Sequence, residues 1–186
     1  MHVAFYGGSF NPPHVAHVLA TAYLLSCFDV DRVMVVPVFE HALDKDLAPF
    51  EDRARMCEIA FGWIPGVEVS RVEALLEPPN FTLNTLEWLK RERPSDRFSL
   101  VVGSDVLFER HKWHAFDRVA ELAPPIVLGR VGFEHPEAPV AVLPEVSSSH
   151  VRELLARAPT EEVERELGVT LPRKVLAYAR QHELYG

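Results

Sequence analysis

At 186 residues, with 48% apolar and 25% charged residues, the chain has the composition of an ordinary globular protein with enough material for a buried core. A formal net charge of −8 argues against nucleic acid as partner, because a long polyanion needs a basic footprint, whereas a small anionic ligand needs only a local positive pocket. No apolar run approaches the roughly 18 residues of a membrane-spanning helix, and residues 1–8 lack the basic stretch and cleavage site of a signal peptide, so a cytoplasmic protein with no membrane partner is expected.

In chain order, short apolar runs rich in Val, Ile or Phe predict strands at residues 3–6, 32–38, 67–72, 98–102 and 125–128. Amphipathic stretches at 14–28, 51–61, 82–91 and 113–122 predict the helices between them. That alternation is the signature of an α/β fold, a Rossmann-like doubly wound parallel sheet. A sixth run at 140–143 predicts one more strand. Helices at 149–157, 161–167 and 172–182 then form a C-terminal helical region, packed from about residue 148 on a single domain spanning 1–186. Cys27 and Cys57 form no C-x-x-C pair and read as buried thiols.

Ligands of open α/β sheets bind beyond the carboxyl ends of the strands. Directly after the first strand stands Gly7-Gly8-Ser9-Phe10-Asn11-Pro12-Pro13-His14-Val15-Ala16-His17, opening a helix. Paired glycines permit a tight turn and close approach of a ligand, and Pro13 suits a first helical turn. His14 and His17 lie three apart, on one side of that turn. Two imidazoles beside free helix N–H groups make an anion site; a plain turn and two solvated histidines are the alternative. The segment is neither a P-loop nor a G-x-G-x-x-G fingerprint.

It resembles the first signature of the cytidylyltransferase-like nucleotidyltransferases, G-x-F-x-P-x-H-x-x-H, and within them the bacterial nicotinate-nucleotide adenylyltransferases. The resemblance implies that Gly7, Gly8, Ser9 and Phe10 bind ATP and that His14 and His17 act on its phosphates. Val146-Ser147-Ser148-Ser149-His150-Val151-Arg152 reads by itself as a serine-capped helix start, a feature worth about 1 kcal/mol. It is similar to the second signature, S-S/T-x-x-I/V-R, which assigns Ser148 and Ser149 to ATP and Arg152 to catalysis at the leaving pyrophosphate. Gly103 and Asp105 resemble a G-x-D segment on the nucleotide ribose, with Asp105 as a helix cap the alternative.

Thr82, in Phe81-Thr82-Leu83-Asn84-Thr85-Leu86, resembles the family's S-Y-T-x-x-T-L, which implies contact with the acceptor's carboxylate; alternatively it caps a helix. Trp113 follows Asp105 at the spacing of D-x-L-x-x-x-x-x-W and is implied to stack on the pyridine ring; core packing is the alternative. Arg130 matches the arginine of an R-P-G turn. Where the family carries P-P-H-K, this chain reads Phe39-Glu40-His41-Ala42-Leu43-Asp44-Lys45, so His41 stands for the histidine and Lys45 for the lysine, four residues on. The implied activity is transfer of AMP from ATP to nicotinate mononucleotide, with Mg²⁺ carried on the ATP phosphates and no metal held by protein side chains. The rival readings are the same reaction on nicotinamide mononucleotide or phosphopantetheine, or a non-catalytic nucleotide-binding regulatory module. The oligomeric state is left open.

Overall fold

The computed structural model describes residues 1–40 and 47–186. The described residues form a five-stranded sheet in the order β3-β2-β1-β4-β5, with every adjacent pair parallel. The strands are β1 (His2–Gly8), β2 (Arg32–Pro37), β3 (Val67–Val69), β4 (Arg97–Gly103) and β5 (Ile126–Leu128). Helices α1 (Val15–Cys27), α2 (Phe50–Phe61), α3 (Thr82–Glu92), α4 (Asp105–Glu109) and α5 (Phe116–Leu122) lie between them, and α6 (Ser148–Leu155), α7 (Glu161–Thr170) and α8 (Arg173–Gln181) follow.

Alternation along the strands sorts side chains onto two faces. Ala4, Val33, Val35 and Val101 join one core with α1, α2 and the C-terminal helices, including Leu24, Phe61, Val151, Leu167 and Val175. Val3, Phe5, Met34, Val36, Phe98 and Leu100 join the other with Leu86 and Leu89 of α3 and Val119 of α5. Both faces of β2 are covered, which is why its sequence is almost wholly apolar. The sheet is therefore doubly wound, and the strand order reverses between β1 and β4. No helix among the described residues is long and apolar enough to cross a membrane.

Three elements differ from the sequence reading. The run at 140–143 forms no strand. Val140 and Val142 are 84% and 60% exposed, and the chain at Pro139–Ala141 crosses over Gly129, where a Cβ would meet the Pro139 carbonyl oxygen at 2.1 Å. Residues 67–72 form only three residues of strand before a short 3-10 turn at Val72–Leu75. The helix expected from residue 113 starts at Phe116, after α4 and a second 3-10 turn (Arg110–Lys112) that the pattern did not reveal. Of the two thiols, Cys57 is buried but Cys27 is exposed.

Candidate active site

At the reversal of strand order, the loops after β1 and β4 part and leave a cleft of about 810 Å³ at the carboxyl ends of the strands. Gly7, Ser9, Phe10, His14, His17, Gly103, Asp105, Trp113, Arg130, Ser148, Ser149 and Arg152 line it. These residues come from five separate stretches of chain, so their meeting in one cavity is a property of the fold.

The β1–α1 loop is shaped by rings and by one strained residue. Gly7 and Gly8 still pair with β2 as extended strand, so they do not make the turn. Their missing side chains make room instead: a Cβ at Gly7 would stand 3.0 Å from the Phe5 ring, and one at Gly8 3.3 Å from the Phe10 ring. The turn falls at Phe10, whose φ of +45° lies in the left-handed region that non-glycine residues rarely occupy. Phe10 is 2% exposed and packs edge-on to Tyr6, His17 and Phe61, contacts that hold it there.

Pro13 precedes the helix, and His14 is the N-cap of α1. The His14 N–H donates to His17 Nδ1 at 3.1 Å, and the two rings stack with centroids 3.7 Å apart. Since Nδ1 of His17 accepts, the proton of the neutral ring sits on Nε2, leaving that nitrogen as a donor. Burial, with the Arg130 charge adding to it, pulls His14 down to about 4. His17 is driven well below the usual imidazole range by burial, then by His14 and Arg130. The fold thus favours neutral imidazoles at both positions, not the cationic pair that an anion site suggests. Nδ1 of His14 is buried without a hydrogen-bond partner.

The α6 start closes onto this loop. Ser147 is the N-cap, its Oγ accepting from the His150 N–H at 3.2 Å. Ser148 Oγ donates to the Pro12 carbonyl at 3.0 Å. Arg152 Nη1 donates to the Asn11 carbonyl at 2.8 Å and Nη2 to Ser149 Oγ at 3.3 Å. These oxygens are all uncharged, so the guanidinium keeps its positive charge facing the cleft.

Across the cleft, Arg130 pairs with Asp105 at 2.9 Å. Asp105 is the first residue of α4, not its cap; Ser104 holds that position, is fully buried, and its Oγ accepts from the Arg130 N–H at 2.9 Å. A Cβ at Gly103 would meet Asp105 Oδ1 at 2.3 Å and Arg130 Cδ at 2.8 Å, so any side chain here would displace that pair. Asp105 Oδ1 itself is buried and unpartnered. Thr82 is the first residue of α3, after the N-cap Phe81, and does not line this cleft. It reaches the site indirectly, since Phe81 stacks on His114 at 4.4 Å, beside the half-buried Trp113. His41 and Lys45 lie outside the described residues.

A model of the family described as cytidylyltransferase-like matches residues 5–154, most of the chain and all of this cleft. The chain belongs to that family. It is 45% identical over 98% of its length to the protein named "Probable nicotinate-nucleotide adenylyltransferase" in Anaeromyxobacter sp. (strain K), covering 96% of that protein. A protein of the same name in Myxococcus xanthus is 39% identical over the whole chain and 95% of its own length. Among solved structures, nicotinic acid mononucleotide adenylyltransferase of Plasmodium falciparum, complexed with NaAD, superposes with a TM-score of 0.82 at 20% identity. That match covers 99% of this chain and 97% of the other, and establishes the shared Rossmann-like fold.

Two buried residues that brace the loops around the site carry no signal that the sequence reading used. Arg53 of α2 is 1% exposed and donates to the carbonyls of Ser9, Val38, Phe39 and Ala48, binding the β1–α1 loop to the segment after β2. Glu73, also buried, accepts from the Phe39 N–H at 3.0 Å and from Thr85 Oγ1 at 3.2 Å. Burial raises its carboxyl to about 7. An arginine or glutamate inside an amphipathic stretch reads as surface; only the fold reveals these two as buried.

Proposed function

We propose that the chain transfers AMP from ATP to nicotinate mononucleotide, giving nicotinate adenine dinucleotide and pyrophosphate. The observation that carries this reading is the seam between the two signatures. Ser148 and Arg152 of the second bond to the Pro12 and Asn11 carbonyls of the first, so two helix starts with phosphate-binding chemistry open onto one space. Such an arrangement suits a triphosphate together with a second phosphate, and the relatives that the chain matches end to end carry the corresponding name.

In this reading the acceptor's 5′-phosphate oxygen attacks the α-phosphorus of ATP in line. The bond from that phosphorus to its bridging oxygen breaks, and pyrophosphate leaves with the electron pair. No protein nucleophile is needed; catalysis is positioning and charge stabilisation. His17 offers Nε2–H as a fixed donor to phosphate oxygens. An arriving polyphosphate also favours protonation of both imidazoles, because an opposite charge raises a histidine's pKa. Arg152, with Ser148 and Ser149, holds the leaving pyrophosphate. Asp105 Oδ1, buried and unpartnered, gains a partner if a ribose hydroxyl donates to it. Trp113 and the Phe81–His114 stack supply the aromatic surface for the pyridine ring, and the α3 start, which lacks a side-chain cap, supplies N–H donors near its carboxylate.

The donor set fits a divalent ion that arrives on the nucleotide. The cleft offers imidazoles, hydroxyls and guanidinium groups, its Asp105 is paired with Arg130, and no cluster among the described residues could cage a metal. We take that ion to be Mg²⁺, which neutralises charge on the transferring phosphates. The unpaired thiols agree with a cytoplasmic setting, which we propose. Mixing the protein with ATP, Mg²⁺ and nicotinate mononucleotide tests the reading: one pyrophosphate per dinucleotide is expected, and no dinucleotide from this acceptor overturns it.

A further inference from the structure

We infer that Tyr185 is a positioning residue for the phosphate end of the cleft, acting through Asn11 on Arg152. Asn11 sits inside the first signature, 2% exposed, between the strained Phe10 and the capping His14. Its Oδ1 accepts from the Ala48 N–H at 3.1 Å and from the Tyr185 hydroxyl at 2.8 Å. The Ala48 N–H can only donate, so it fixes which end of the carboxamide faces this way. The main-chain carbonyl of the same asparagine receives Arg152 Nη1. One buried residue thus joins the segment after β2, the chain beyond α8, and the guanidinium that is to meet pyrophosphate.

Tyr185 is built to stay in place. Its φ of +71° is one that non-glycine residues rarely adopt, so the surrounding contacts, not local preference, set the backbone there. The side chain packs on the core shared by α1, α2 and α8. Burial holds its hydroxyl well above the ordinary tyrosine range, so it remains a protonated donor at any pH at which the protein works. Without that hydroxyl the Asn11 carboxamide is held by one bond instead of two, and the carbonyl that aims Arg152 loses part of its support. A residue at position 185 therefore reaches the reacting phosphates without touching them.

The inference rests on the adenylyl-transfer reading only for Arg152's place at the pyrophosphate. The test is a cycle of four proteins: wild type, Tyr185→Phe, Arg152→Ala and the pair. In each, pyrophosphate affinity is measured by titration calorimetry and kcat and acceptor KM by dinucleotide formation. Tyr185→Phe removes one oxygen and keeps the ring, and a melting curve records its effect on stability separately. Loss of one hydrogen bond predicts an affinity and a kcat lower by about threefold to tenfold, with acceptor KM unchanged. On the Arg152→Ala background the same change has no further effect on either. Unchanged affinity and kcat, or an equal loss on both backgrounds, would overturn the inference. A wild type that makes no dinucleotide strikes the acceptor assignment instead, and the pyrophosphate arm still decides the role of Tyr185.

Discussion

At the phosphate end of the cleft, Asn11, His17, Ser148 and Arg152 are fixed to one another through main-chain groups, whereas at the other end Phe81 stacks on His114 and Trp113 meets Phe116 edge-on. Directed bonds hold donors to within a few tenths of an ångström, which is what stabilising a charged transition state requires. Ring contacts tolerate sliding and suit recognition of a flat ligand. In the proposed reaction, the first end governs rate and the second governs which acceptor is used.

That division is broken most directly at His17. Replacing it with alanine removes a preorganised donor, and turnover is expected to fall by roughly 10² to 10³, as for other such donors. Stability should fall far less, by about 1 kcal/mol for the lost cap bond, so a melting curve beside the rate measurement separates the two effects. Near-normal turnover would remove His17 from the catalytic end.

Protonation of the same end should appear in stability. An unfolded histidine takes up its proton near pH 6.5, whereas His14 in the fold resists until about 4. Its folded pKa is depressed, so stability is full above pH 6.5 and is lost as pH falls toward 4, by at most about 3 kcal/mol at about 1.4 kcal/mol per unit. Glu73 works in the opposite sense: its carboxyl is raised from 4.5 to about 7, so its contribution is full below 4.5 and fades as pH rises through 7. Melting curves from pH 4 to 8 should be flatter on the acid side for His14→Asn than for wild type. They should lose the decline toward pH 7 in Glu73→Gln.

Arg152→Ala sharpens the comparison further. Among the described residues the guanidinium bonds only uncharged oxygens, so its removal should weaken ATP binding and turnover about tenfold to a hundredfold, the range of charge-assisted hydrogen bonds, with little change in melting temperature. Equal ATP affinity by calorimetry would return Ser147 to Arg152 to the role of a capped helix start.

How far each end was legible follows from the same contrast. The phosphate end is written in two contiguous segments, and their resemblance to the family's two signatures, not strand-to-helix context alone, brought His14, His17, Ser148 and Arg152 into one site. Their bonding was hidden, because Arg152 reaches Asn11 across 141 residues and Tyr185 reaches it across 174. The reason for Gly7 and Gly8 was hidden too: periodicity cannot tell a turn from a place where the Phe5 and Phe10 rings need room. At the acceptor end, Trp113 lines the cleft, whereas the cap reading of Thr82 gives way to Phe81, which takes the cap position that a motif does not reveal. The sheet was read from apolar runs, and the false strand at 140–143 shows the limit of that signal: Val140 and Val142 alternate like a strand yet face solvent.

Acceptor choice is measured by comparing kcat/KM for nicotinate mononucleotide and for nicotinamide mononucleotide, with ATP and Mg²⁺ under identical conditions. The two differ only in carboxylate against amide. Donors that meet an anion form bonds of about 1.5 to 3 kcal/mol against about 0.5 to 1.5 kcal/mol for neutral partners. A preference for the acid of at least about tenfold is therefore expected. An equal or reversed preference would contradict it, and would move the control of specificity away from the α3 start and Trp113.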